Sequence, residues 1–176
     1  MLHKSYLMKK IALFILFHLV IFQVLEAQEV ETDPVLKSEV SKLGFMEGTW
    51  KGRGWMMSRD GQRQEFEQTE SVQFKLDHTL LLIEGQGQSH GQMVHNALAA
   101  VTYNKEEGAY TFTSWLANGL TGSYTAKLIG DRFHWYPNEF IRYILLINDQ
   151  GQWYETGEMK RGEEWIQIFE MTLDKM

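Results

Sequence analysis

Glu70, Glu84, Glu155 and Glu170 each stand in a short run of apolar or amide neighbours. A carboxyl group in such surroundings is suited to acid–base work, because lost hydration moves its pKa toward neutrality. Arg142 and Tyr143 supply a cation and a phenol, the types that orient a polar headgroup or share a proton. Trp50, Trp135 and Gln167 add apolar wall and an amide, and Gly52 and Gly54 follow Trp50 at alternate positions. These ten residues, with Glu170 left out, are the candidate ligand-binding set: Trp50, Gly52, Gly54, Glu70, Glu84, Trp135, Arg142, Tyr143, Glu155 and Gln167. Two uses of the carboxylates stay open. They line a cavity that binds or isomerises a small molecule, or they pair with Arg142 in a structural network.

Other chemistries are excluded or lack a pattern. The chain has 176 residues and no cysteine, so thiolate catalysis, disulfides and cysteine metal sites are ruled out. No P-loop occurs, and the glycines of "EGQGQSHG", including the G-x-S-x-G string Gly87–Gly91, lie between two strands rather than before a helix, so they form a hairpin rather than a nucleophile elbow. His90 and His95 in "SHGQMVH" straddle a turn at a spacing that matches no metal-ligand pattern, so no metal site is expected.

The elements that must position the candidates are strands. "DPVLKSEVSKLGF" gives one short amphipathic helix over 34–43, with Asp33 as cap and Pro34 in the first position. Beyond Glu47 the chain reads as ten strands of about eight residues, broken by "SRDGQ", "LDHT", "SHGQ", "NKEEG", "ANG", "GD", "PNE", "NDQG" and "RGE". Ten strands joined by tight turns predict an all-β fold: an up-and-down antiparallel barrel, closed so that no edge is exposed. A sandwich needs a long crossover, and none is evident.

Alternation assigns the faces. On the first strand Trp50, Gly52, Gly54 and Met56 point inward, against Thr49, Lys51 and Arg53. The glycines bend that strand or clear space for a ligand, and Trp50 plugs the end next to the helix. Phe66, Glu70, Val72 and Phe74 share the second strand's inner face. Leu80, Leu82, Glu84 and Gln86 are assigned to the third strand's inner face. Trp153, Glu155 and Gly157 align on the ninth, and Trp165, Gln167, Phe169 and Met171 on the tenth. One polar group per strand among apolar neighbours suits a cavity better than a dry core.

Lys9-Lys10 and the apolar run after them give residues 1–27 the layout of a signal peptide, with an uncleaved anchor as the alternative. Residues 28–47 form a leader and the capping helix, and 48–176 the barrel domain. The protein is expected to be exported, to a periplasm or beyond, with no stable membrane span after cleavage. The formal net charge is −6. Residues 1–27 hold Lys4, Lys9, Lys10 and Glu26, a net of +2, so the remainder carries −8. That balance argues against nucleic acid as a partner and favours a neutral or cationic ligand. The oligomeric state is left open.

Several blocks carry a resemblance. "FMEGTWKGRG", "QTESVQFKLDHTLLLIEGQG", "YTFTSW", "IRYILLI", "WYETGE" and "EWIQIFEMTL" resemble, in order, a bacterial family of unknown function in the calycin superfamily, from about Leu43 to Leu173. "GTWKGRG" is also similar to the Gly-x-Trp-x-Gly-x-Gly opening of nitrobindin-like haem barrels. The resemblance implies a ten-stranded, ligand-sized barrel and no established reaction. It also raises haem, but the axial histidine of those barrels lies near the C-terminus, and "EEWIQIFEMTLDKM" has none. The expected function is binding of a small apolar or amphipathic molecule, without a cofactor. The alternatives are an envelope interaction module using exposed Trp55 and Met57, a haem protein ligated from His95 or His134, and an isomerase using a cavity Glu.

Overall fold

The computed structural model describes residues 30–58 and 60–176. The leader expected at 1–27 lies outside the described residues. The first helix, α1 (Pro34–Ser41), starts where the sequence directs it. The Asp33 carboxylate accepts from the Val35 and Leu36 amides, satisfying two of the donors that a helix start leaves free. A 3-10 turn, Lys42–Met46, follows, so the expected 34–43 helix is shorter as an α-helix and tightens before the first strand.

Ten strands follow: β1 (Gly48–Met57), β2 (Arg63–Lys75), β3 (Leu80–Ser89), β4 (Gln92–Asn104), β5 (Ala109–Leu116), β6 (Thr121–Ile129), β7 (Arg132–Asn138), β8 (Ile141–Ile147), β9 (Trp153–Arg161) and β10 (Glu164–Lys175). Each pairs antiparallel with its neighbours in sequence, and β10 returns to pair with β1. The result is the closed ten-stranded up-and-down barrel.

Closure depends on the first-strand glycines. Gly52 faces Leu173, and Gly54 faces Met171. A Cβ on Gly52 would overlap the Thr172 carbonyl oxygen and stand 2.8 Å from the Leu173 Cα. One on Gly54 would stand 2.6 Å from the Phe66 ring and 2.7 Å from the Met171 Cβ. The missing side chains are therefore replaced by the backbone of β10 and by Phe66 and Met171. The reading that Gly52 and Gly54 leave room for a ligand is corrected: they permit close approach of the last strand.

One end of the barrel is solid. Val40, Leu43 and Met46 of the helical segment cap Trp50, Val72, Leu81, Val101, Phe133, Trp153 and Leu173, all nearly devoid of solvent contact. Trp50 donates its indole N–H to the Met46 carbonyl at 2.8 Å and meets Trp153 edge-on at 5.9 Å. Tyr110 donates to the Glu39 carbonyl at 2.9 Å, so the cap is pinned from the far wall too. Lys37–Asp77 and Lys105–Asp33 tie α1 to the β2–β3 and β4–β5 turns at the exposed rim, where such pairs add little stability.

Gly52→Ala is expected to destabilise the chain by about 1–3 kcal/mol or more, the usual cost of overpacking where the obstacle is backbone. Chemical denaturation checks it, and an unchanged midpoint would remove the close-approach argument.

Candidate functional site

The other end of the barrel is hollow. It holds a cavity of about 420 Å³, within the range of small-molecule sites. Side-chain size explains where it lies. On three consecutive strands the inward positions are small: Gly85 and Gly87 on β3, Ala97 and Ala99 on β4, and Ser114 on β5. Aromatic rings line much of the rest, Phe112 from β5 itself and Trp135, Tyr143 and Phe169 from β7, β8 and β10. Phe112 stacks on Trp135 at 4.6 Å and Trp135 on Tyr143 at 4.3 Å, with Tyr143 edge-on to Phe169 at 5.6 Å.

Polar groups converge on this space from separate strands. Glu70 and Gln68 come from β2, Glu155 from β9, His95 from β4, Tyr124 from β6 and Tyr143 from β8. Glu70 is 6% exposed and Glu155 8%. Gln68 donates to the Glu70 Oε1 at 2.6 Å. Glu155 accepts from two indoles, Trp153 at 3.1 Å and Trp135 at 3.5 Å. All these donors are neutral, so neither carboxylate has a cation beside it. Burial therefore dominates. It pushes Glu70 up to about 8, against the Gln68 bond, with the Glu155 charge adding to the rise. Burial likewise pushes Glu155 up to about 7, opposed by the two indole bonds. Burial also pulls His95 below its ordinary value and raises Tyr143 to about 12.

Of the sequence candidates, Glu70, Glu155, Trp135 and Tyr143 meet in the cavity. Trp50 is inward but belongs to the solid end. Besides Gly52 and Gly54, three more candidates are corrected. Glu84 is exposed, because β3 turns Leu81, Ile83, Gly85 and Gly87 inward; its "LLLI" run is apolar on both faces and hid the phase. Arg142 lies outside, bonded to Glu158 at 2.6 Å and resting on the Trp165 ring at 4.1 Å. Gln167 also lies outside, since a bulge between Gln167 and Phe169 reverses the alternation; it donates to Glu170 at 2.8 Å. Glu170 itself accepts from Tyr154 on the outer face. Gln68, Ser114 and Tyr124 were not singled out, although Gln68 sits two residues from both Phe66 and Glu70 and period-two alternation marks it.

His95, a haem-ligand candidate from the sequence, lines the cavity, and no Lys or Arg lines it among the described residues. The inward positions of β10 at this level are Phe169 and Met171. Among the described residues, no group of three or more His, Asp or Glu is placed to hold a metal. Trp55, considered for a partner surface, is half-buried under the Arg63 guanidinium at 3.8 Å. No helix among the described residues is long and apolar enough to cross a membrane.

No protein-family model matches the chain, and no curated protein matches it. Among solved structures, the crystal structure of Rv2717c from M. tuberculosis is similar, with a TM-score of 0.58 and 14% sequence identity. The match covers 83% of this chain and 99% of that one. At that identity the likeness concerns the fold, a closed ten-stranded barrel.

The raised carboxyl pKa values make stability depend on pH. Each group binds its proton more tightly in the folded chain than at the ordinary value of 4.5. Their contribution is complete below that value and is lost as pH rises to about 7 for Glu155 and about 8 for Glu70. His95 acts in the opposite sense, losing stability as pH falls through its lowered value, so the comparison is with a variant. The unfolding free energy of the wild type minus that of Glu70→Gln should fall between about pH 5 and 8, by at most about 1.4 kcal/mol per pH unit. A flat difference in urea titrations across that range would mean that Glu70 is not held protonated.

Proposed function

We propose that this chain is a calycin-like carrier or sensor barrel that binds one small amphipathic molecule inside its hollow end. The observation that carries the reading is the division of one barrel into a packed half and an open half. The open half combines an aromatic wall with a few convergent polar side chains, the usual make-up of a small-molecule site. The apolar part of the ligand would lie against Phe66, Phe112 and Phe169, and its polar end at Gln68, Glu70 and Glu155. The leader at 1–27 supports export to a periplasmic or extracellular space, and the acidic balance argues against nucleic acid as partner.

A second reading has one observation in its favour. Glu70 and Glu155 titrate near neutrality beside the same cavity, where a carboxyl works best as acid and base. The reaction class would be proton transfer at a carbon next to a carbonyl. Deuterium uptake from solvent into a bound cyclic ketone, abolished in Glu70→Gln, would support it; no uptake above the uncatalysed rate would end it.

For binding, the neutral fluorophore N-phenyl-1-naphthylamine should brighten and draw energy from Trp135 and Trp153, which line the cavity. Ala97→Trp, which places an indole in the open space from the small-residue wall, should weaken that binding at least about tenfold while the far-ultraviolet circular dichroism stays unchanged. Equal affinity in the two proteins would put the probe elsewhere.

A further inference from the structure

Resting on the reading of the cavity as a ligand site, we propose that its ligand is an organic monocation, a small amphipathic amine whose ammonium group is held at Glu70 and Glu155. The carboxyls are more than nine-tenths buried and open on the same cavity. No Lys or Arg lines that cavity among the described residues; Arg142, next to Tyr143 in sequence, faces outward onto Glu158. The protein thus provides two sites for negative charge and no internal counter-charge, and a cationic ligand supplies what is missing.

Geometry shows that the acid position is built. The Glu70 Oε1 accepts from Gln68. Its Oε2 has no protein donor among the described residues, yet it is not sealed from the cavity space. The carboxyl rests over Gly85, where a Cβ would stand 2.8 and 2.9 Å from its oxygens. Gly87 clears the Gln68 amide in the same way, since a Cβ there would overlap the Gln68 Oε1. Two glycines on the facing strand therefore hold the Gln68–Glu70 pair in place while leaving an oxygen free.

The remaining lining selects for sign. The rings of Phe66, Phe112, Tyr143 and Phe169 line the cavity, and a ring face turned to a ligand attracts cations and disfavours anions. The other titratable groups facing the carboxyls are His95 from β4, Tyr124 from β6 and Tyr143 from β8. Burial keeps His95 toward its neutral form and Tyr143 in its phenol form near neutrality. The Glu155 charge disfavours ionisation of Glu70 within this enclosure. One ammonium therefore matches one ionised carboxylate, with the second carboxyl still protonated, so the fit is to one positive charge rather than two.

Calorimetric titration with 4-phenylbutylamine, 4-phenylbutanol and 4-phenylbutyrate tests this, because the three share a skeleton and differ in charge. At about pH 6 the amine should bind at least about tenfold tighter than the alcohol, and the carboxylate weakest. Repeating the amine titration in buffers of different ionisation enthalpy should show about one proton released per amine, as a carboxyl ionises against it. Glu70→Gln with Glu155→Gln should bring the amine to the alcohol's affinity and abolish the proton release. Gly85→Ala keeps both carboxyls but displaces Glu70 from its cradle, and should also reduce the amine's advantage. Alcohol binding as tight as amine binding in the wild type would overturn the charge inference and leave the cavity reading standing. Failure of all three to bind would overturn both.

Discussion

A ring of ten antiparallel strands has one junction that no hairpin makes, and here it lies between β1 and β10. The strands must meet with the twist and tilt that the rest of the ring imposes, and side chains at the junction would hold their backbones apart. Gly52 removes that obstacle where the Thr172 carbonyl and the Leu173 Cα press closest. Gly54 does the same for Phe66 and Met171. With the junction formed, the sheet has no free edge, and every inward residue faces an enclosed space whose content is decided by side-chain volume alone. The solid end, the hollow end and the acidity of the hollow end all follow from that enclosure.

Volume then varies along the barrel axis. Near the helical cap, two tryptophans, Phe133 and Tyr110 fill the interior, and their polar atoms are satisfied by Met46, Glu155 and Glu39. Further along, β3 and β4 supply glycine and alanine and β5 supplies Ser114 beside Phe112, so the rings of Trp135, Tyr143 and Phe169 border open space. Glu155 sits at the boundary. It accepts from Trp153 of the packed half and from Trp135 of the aromatic wall, so its position is fixed from both sides. The carboxyl is thereby part of the framework as well as part of the lining.

The strand count, turn positions and closure are legible in the sequence because turn chemistry is local and alternation survives wherever one face is charged. On β1, Lys51 and Arg53 settle the phase, and on β9 the Trp153–Glu155–Gly157 set reads correctly. The phase is lost where that contrast fails. The opening of β3 is apolar on both faces, and its inward glycines resemble turn residues; hence Glu84 is misassigned and Gly85 and Gly87 are overlooked. On β10 a single bulged residue reverses the faces, so Gln167 and Trp165 leave the interior while Phe169 and Met171 keep it. Arg142 is a different case. Its outward direction follows from alternation with Tyr143, and only the expectation that a cation orients the polar end of a ligand makes it a candidate.

That expectation touches the central energetic feature of the site. A buried carboxyl can be matched by a cation, remain protonated, or be replaced by an apolar residue of similar volume, and the last is often the most stable arrangement. The filled end of this barrel shows that the chain packs its interior with Trp, Phe and Leu where nothing else is required. Glu70 and Glu155 depart from that pattern in the half where the interior is open, and the facing strand gives up two side chains to seat Glu70 and its Gln68 partner. Glycine in a strand costs about 0.5–1 kcal/mol relative to alanine, and the buried carboxyls cost more as pH rises. Within the barrel the carboxyls meet neutral donors, Gln68 at Glu70 and two indoles at Glu155, and the Glu70 Oε2 has no protein donor among the described residues. On the proposed reading a cationic molecule that enters the cavity supplies the compensation, since no Lys or Arg lines that space among the described residues.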